Sequence, residues 1–518
     1  MVIVIVIVCC PPLFPAVYGE PRLSRTPTKP GIPMLRSLIL ALAIAAPAAA
    51  QIPATEYAAR RAEVARRVGD GAVLAFGAPA PVDYVGAYRQ TPSFLYLTGW
   101  ERPNGVFLME VRGGAVRRAL LFEPASDPRM VLYDGFPLDS ADVRERTGMV
   151  LLPIERLEPE LHALFDELPV LTISDIQSRD YAETDSLTRG RAFVRHVSEH
   201  HPEVTFRSID PLLDSLRVVK SDAEVALLRD AISITVEALE TAMRVIEPGM
   251  NEGGLEAVIE YSFRTGGADG AGFGSIVGSG PNSTSFHYRA NDRDMEANDV
   301  VVMDVGAIVD GYTADVTRTV PVDGTFSDEQ RAIYEIVLAA QQAAVGEIRA
   351  GAATSTGNDA MRSVIARGLA RLGLTQGVDA RLDPPWADSA RCVRQPLVCS
   401  QAYLYMAHGP GHGIGLEVHD VGGHSYSFSG RFAENEVLTV EPGIYVSETL
   451  LDMLPDTPRN AEFIRAVRGV VRRYANIGMR VEDDYLVTRT GVEWLSPAPR
   501  EIADIESMMA LPASLPMP

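Results

Sequence analysis

The sequence has 518 residues, 47% hydrophobic and 22% charged, ordinary values for a globular chain long enough for two or three domains and a large core. Its 47 basic residues stand against 68 acidic ones, a net charge of −21, which argues against nucleic acid or an anionic membrane as partner. An acidic surface leaves the substrate open.

The first 50 residues read as a leader. From Met34 the chain runs MLRSLILALAIAAPAAAQ: Arg36, the apolar stretch Leu38–Ala46, then Ala48-Ala49-Ala50. That is the pattern of a secretory signal peptide over 34–50, giving an exported, periplasmic or secreted, chain from about Gln51. Residues 1–33 lack the charge a signal carries in front of its apolar run and are read as upstream of the true start. The rival is an uncleaved anchor, but neither apolar run reaches the roughly 18–20 residues of a membrane span. Without residues 1–50 the chain keeps 43 basic and 67 acidic residues, a net charge of −24.

Residues 51–217 read as a mixed α/β domain. Glu56–Arg67 has a helical pattern rich in Ala and Arg. Gly71–Phe76, Phe94–Leu97, Val106–Val111 and Ala119–Phe122 are short strand-like apolar runs, and Ala141–Arg146 and Leu157–Leu164 suit helices. No stretch of this region gathers ligand-type residues.

A boundary falls near Val218–Ser221, where Ser221 and Glu224 form a capping box ahead of a long amphipathic helix that ends before Pro248-Gly249. A second helix over Gly254–Arg264 leads into the glycine-rich Gly266–Gly280. Asp299–Val322 then reads as a β-hairpin turning at Asp310-Gly311. Ser327 with Gln330 caps another helix, to about Ile348, followed by one near Asn358–Leu372. An irregular insert, Asp379–Ser400, holds Cys392 and Cys399, which form either a small disulfide-closed loop or a pair of free thiols. Strand-like blocks at Val437–Val446 and Ile477–Val487 flank a helical Pro458–Tyr474. The order helix–helix–strands occurs twice, a hint of internal duplication.

In the hairpin, Asp304 and Asp315 face the same side, diagonally across the ladder, with Cα atoms roughly 7–8 Å apart. Two carboxylates among Val, Met, Ala and Ile are costly to bury unless a cation neutralises them. For either alone an ordinary role suffices: a strand end for Asp304, a partner of Arg318 for Asp315. Further His and Glu residues change the balance: His287 in Ser285–Tyr288, His408, His412 and His419 in HGPGHGIGLEVHDVGG, Glu441 in LTVEPGIY, and Glu482 in IGMRVEDDYLVT. His408 and His412 have the spacing of a helical zinc pair, but Gly409-Pro410-Gly411 between them predicts an extended or looped segment. Two Asp, two Glu and one His form an oxygen-rich ligand set suited to a pair of divalent ions, Mn²⁺ in the first place, with Co²⁺ or Zn²⁺ as alternatives. Glu417 and His424 are read as surface residues.

DVGAIVDGYTADVTRT, HGPGHGIGLEVHDVGG, TVEPGIY and RVEDD resemble, in this order, the signature blocks of the dinuclear pita-bread metallopeptidases, in the branch of aminopeptidase P (Xaa-Pro aminopeptidase) and prolidase. YLTGWERPNGVFLME at Tyr96–Glu110 resembles the creatinase-like N-terminal domain of that branch. The resemblance implies an α+β chain, with a creatinase-like α/β domain over 51–217 and a pita-bread catalytic domain over 218–518. It implies that Asp304 binds one metal, that Asp315 and Glu482 bridge two, and that His412 and Glu441 complete the second. A water held between ions roughly 3.5–4 Å apart would be the nucleophile, with Glu441 as general base. His408 and His419 would orient substrate and steady the oxyanion, His287 would contact the substrate backbone, and Arg480 would fix the Glu482 carboxylate. The implied substrates are peptides with proline second. The implied assembly is a homodimer or homotetramer, in which one subunit's N-terminal domain helps wall its neighbour's site; no nucleic acid and no stable membrane span are expected. Glu441 and Glu482 lie 41 positions apart, a spacing closer to prolidase, so a dipeptidase is an alternative. A peptide-binding protein without turnover and a hydrolase of non-peptide C–N bonds are two more.

Overall fold

The computed structural model describes residues 51–81, 88–124, 129, 131–134, 138–176, 178–179, 188–406, 408–424 and 429–515. The signal-like segment lies outside them. Among the described residues the N-terminal region is built on six strands: Gly71–Phe76, Val106–Arg112, Ala115–Glu123, Val150–Pro153, Val170–Thr172 and Phe206–Ser208. Numbered along the chain, they lie in the order 4-3-2-1-5-6. The second runs antiparallel to the first and to the third, and the outer three join in parallel. The central strand Gly71–Phe76 is buried along its whole length, and apolar clusters cover both faces.

Phe94–Leu97, expected as a strand, belongs instead to the helix Pro92–Thr98. An apolar run of four residues cannot by itself tell a buried strand from a buried helix. Here the boundaries decide: Pro92 sits in the first turn, where its missing N–H costs nothing, and Gly99 closes the helix in the left-handed region at φ 61°.

The C-terminal region opens with helix Asp222–Val245, whose Ser221–Glu224 capping box is formed as predicted, and continues into Glu252–Thr265. A second helix pair follows, Asp328–Val345, capped by Ser327 and Gln330, and Thr354–Leu372. Each pair precedes a two-stranded ribbon with a break in its middle. In the first ribbon Val300–Val305 pairs with Val316–Pro321, and Ala307–Val309 with Tyr312–Thr313. The tip is the predicted two-residue turn, with Asp310 at φ 47° and Gly311 at φ 83°. In the second, Val437–Val440 pairs with Asp483–Val487 and Gly443–Val446 with Ile477–Arg480. One continuous apolar cluster joins both helix pairs to both ribbons.

The insert forms helix Ser389–Arg394 and a 3₁₀ turn Pro396–Cys399, closed by a Cys392–Cys399 disulfide. Among the described residues no helix is long and apolar enough to cross a membrane.

Candidate metal centre and active site

The ribbon breaks carry the carboxylates. In the first ribbon Thr317 pairs with Asp304 and Val316 with Val305, which sets Asp304 and Asp315 diagonally across the kink. The kink centres on Gly306, where a Cβ would lie 1.8 Å from the Ala314 carbonyl oxygen, so only glycine permits the close approach. In the second ribbon the pairs Val440↔Asp483 and Gly443↔Arg480 bracket the break, and Glu441 and Glu482 stand on its two sides. Thr317 stitches the ribbons together: its carbonyl accepts from Glu482 N at 3.1 Å, and its hydroxyl donates to Glu482 Oε2 at 2.6 Å.

His412 reaches this place from an extended segment, as Gly409-Pro410-Gly411 predicts. Its carbonyl accepts from Thr439 N at 2.8 Å, and the next residues run beside strand Val437–Val440. Asp315, His412 and Glu482, all buried, offer ligand atoms within 4.8 Å of one another. His412 Nε2 lies 3.4 Å from Asp315 Oδ2 and 3.6 Å from Glu441 Oε1. Asp304 is hydrogen-bonded to Arg480, and its charge acts on Asp315, Glu441 and Glu482.

The electrostatics of this set call for a cation. Burial first, then the Glu482 and Asp304 charges, push Asp315 well above the usual carboxylate range. Glu482 is raised in the same way by burial and by Glu441 and Asp304. Glu441 is pushed up to about 7, chiefly by burial. Asp315 Oδ1 is buried and has no hydrogen-bond partner. Four carboxylates, one imidazole and an orphaned carboxylate oxygen match the oxygen-rich donor set of divalent ions.

The other predicted residues ring this cluster. His408 Nδ1 donates to the Gly409 carbonyl at 2.9 Å, so its Nε2, 3.0 Å from Tyr445 Oη, is the acceptor. Burial and the nearby Arg480 lower His408 to about 3 and keep it neutral. The His419 ring lies 4.4 Å from that of His412, edge to face. His287 is on the exposed side, its basicity lowered first by desolvation and then by Arg480, within the fields of Asp304 and His419. Arg480 was expected to fix Glu482. It holds Asp304 instead, donates to Tyr445 Oη at 3.1 Å, and reaches Glu482 only through Thr317 Oγ1, 3.2 Å from its Nε.

Three other expectations are corrected. Arg318 pairs with Asp483 at 2.6 Å, both fully buried, and not with Asp315. Glu417 is buried and accepts from Arg217 at 2.8 Å. His424 is half-buried and its Nδ1 donates to the Thr354 carbonyl at 2.7 Å. Both belong to the looped segment behind the ligands, where sequence order gives no sign of burial. Tyr445, Thr317 and Asp484, whose Oδ2 accepts from Asp315 N at 3.2 Å, were missed altogether. Of these, only Asp484 carried a signal, lying beside Glu482 in RVEDD.

Residues 226–489 match the model of metallopeptidase family M24, just over half of the chain. The chain belongs to this family. Residues 57–171 match the aminopeptidase P N-terminal domain, so the M24 architecture here is a pita-bread region behind a creatinase-like one. The Xaa-Pro aminopeptidase of Haemophilus influenzae is 32% identical over 469 residues, 89% of this chain and 98% of its own. The structure of aminopeptidase PepP from Pseudomonas aeruginosa is similar at a TM-score of 0.71 and 32% identity, over 89% of this chain and 99% of that one. Zinc-substituted aminopeptidase P of Escherichia coli, solved in complex with product, is similar at a TM-score of 0.72 and 27% identity, over 89% of this chain and 98% of that one. This M24 member is a metal-dependent peptidase, and the carboxylate–histidine cluster is its candidate centre.

Proposed function

We propose that the protein is an exported aminopeptidase that hydrolyses the bond between an N-terminal residue and a following proline. The observation that carries this reading is the convergence of Asp315, His412 and Glu482, with Glu441 beside them, in a chain that matches Xaa-Pro aminopeptidases along most of its length. Asp304, Asp315, His412, Glu441 and Glu482 would hold two divalent ions, Mn²⁺ by preference. When bound, these ions supply a hydroxide nucleophile at neutral pH and polarise the scissile carbonyl. Export is supported by the signal-like pattern over 34–50 and by the Cys392–Cys399 bond, which suits an oxidising compartment.

The protein's own groups account for the rest. Glu441 accepts the proton of the attacking water and returns it to the proline nitrogen. That nitrogen needs it, because a tertiary amide leaves only when protonated. Arg480 donates to Tyr445 Oη, and Tyr445 donates to His408 Nε2, which fixes the His408 tautomer. His408 and His419 orient substrate and oxyanion, and His287 holds the peptide backbone from the open side.

The test is hydrolysis of Xaa-Pro-Xaa, Xaa-Pro and Xaa-Ala-Xaa peptides by the Mn²⁺-loaded protein, with Glu441→Gln alongside. Cleavage of the tripeptide at proline, lost about 10²–10⁴-fold in the variant, supports the reading. Cleavage of the dipeptide alone makes the protein a prolidase, and binding without turnover makes it a peptide-binding member of the family.

A further inference from the structure

Five of the nine histidines lie at or beside the peptidase centre; the other four, His162, His196, His200 and His201, gather in the N-terminal region. That region showed no ligand-type cluster along the sequence, and the folded chain corrects this. His196 and His200 are one turn apart on helix Arg189–His200, both exposed, with ring centroids 4.4 Å apart. His200 Nδ1 lies 2.9 Å from the His196 carbonyl oxygen. A carbonyl can only accept, so Nδ1 carries the proton and the lone pair of His200 is on Nε2. Metal-binding histidines are commonly held this way, one ring nitrogen donating to a backbone or carboxylate oxygen and the other facing the ion. Beside this pair, the His162 and His201 rings meet edge to face at 4.6 Å, and His201 Nδ1 is 3.1 Å from Glu203 Oε1.

We propose that the C-terminal end of helix Arg189–His200 binds one borderline divalent cation per chain, of the Zn²⁺, Ni²⁺ or Cu²⁺ kind, through His196 and His200. Two imidazoles at i and i+4 on one helical face are a chelate for imidazole-preferring ions. Water fills the remaining positions, so binding is weaker and more exchangeable than in a closed four-ligand site. The oxygen-rich peptidase centre shares none of these residues. An exported chain would therefore carry a transition-metal site separate from the one that does its chemistry.

The test is equilibrium dialysis of the full-length, Mn²⁺-loaded protein against Ni²⁺, with bound ions counted by elemental analysis. The wild type is expected to take up one more Ni²⁺ per chain than His196→Ala/His200→Ala. His162→Ala/His201→Ala should keep that ion, and peptidase rates should be equal in all three. Glu482→Ala should lose ions from the peptidase centre yet keep the helix-bound Ni²⁺, which separates this site from the peptidase reading. Equal Ni²⁺ in the wild type and His196→Ala/His200→Ala overturns the proposal, as does loss of the ion in His162→Ala/His201→Ala instead.

Discussion

Asp315 sits in the molecule as a cost that a cation offsets. Its carboxylate is buried among Glu482, Asp304, Asp484 and Glu441, and one of its oxygens is unbonded. Removing the charge should therefore act in opposite directions with and without metal. Metal-free Asp315→Asn is expected to be more stable than metal-free wild type, by about 1–3 kcal/mol. Mn²⁺ should raise the melting temperature of the wild type and leave the variant's unchanged. Thermal melts of both proteins with and without Mn²⁺ check this, and equal Mn²⁺ responses would remove Asp315 from the ligand set. The raised carboxylates also set a pH dependence. Glu441, at about 7 when folded and near 4.5 when unfolded, binds protons more tightly in the folded state, so its contribution is lost as pH rises through 7. His408 and His424, lowered to about 3 and 4, act in the opposite sense: unfolded, each still binds a proton near its ordinary value of about 6.5, so each adds stability as pH rises through that value. Between about pH 6.5 and 8 the metal-free wild type should thus lose about 1 kcal/mol of stability relative to metal-free Glu441→Gln, which keeps both histidines and lacks the Glu441 carboxyl. Urea denaturation of both metal-free proteins across that range is the measurement.

At the scale of elements, the centre depends on two ribbons that break at the same relative place. Gly306 allows the first break, so Gly306→Ala should force apart the strands carrying Asp304 and Asp315. The expected outcome is a loss of more than about 2 kcal/mol in stability together with loss of bound metal, read by denaturation and elemental analysis. Glycines 411 and 423 play the same part on the His412 side: a Cβ at 423 would lie 2.5 Å from the His412 carbonyl carbon. The disulfide is a different kind of element. It closes a short loop in the insert, whose side chains contribute none of the five ligands. Reduction, or Cys392→Ser/Cys399→Ser, should cost about 2 kcal/mol through the unfolded chain and leave metal content unchanged. A drop in metal content on reduction would show that the insert supports the centre.

Across the whole molecule, the N-terminal region and the histidine segment are joined by a buried ionic cluster. Arg217 pairs with Asp420 and with Glu417, Arg179 reaches Glu417 and Asp214, and Lys220 Nζ lies 3.6 Å from Asp420 Oδ2. Lys220 is the only lysine beyond position 29, and its side chain is 1% exposed. Asp420 adjoins His419, so the cluster fixes one end of the segment that presents His412 and His419. Arg217→Ala would leave two buried carboxylates short of a cation and should cost about 3–5 kcal/mol in a denaturation experiment, with Arg217→Lys recovering part of it. Arg217→Ala with wild-type stability would mean that the cluster does not hold the two regions together.

Much of this was open to reading along the chain. The capped helices, the Asp310-Gly311 turn and the looped His408–His412 segment follow from local chemistry: side chains that satisfy helix-end N–H groups, glycine in the left-handed region, and proline and glycine that interrupt a helix. The order of the acidic and histidine blocks was legible too, because ligand chemistry restricts residue type. What remained hidden depends on distance in space. That Phe94–Leu97 is helical, that Arg318 takes Asp483, that Arg480 takes Asp304, and that Glu417 is buried are decided by which groups meet after folding. The same holds for His196 and His200, unremarkable until a helix turns them to one face. The sequence by itself determined which chemistry the protein can carry, since that resides in side chains and their local geometry. Only the tertiary structure decided which charges face each other, since burial and partnership are set by contacts between segments as much as 264 positions apart.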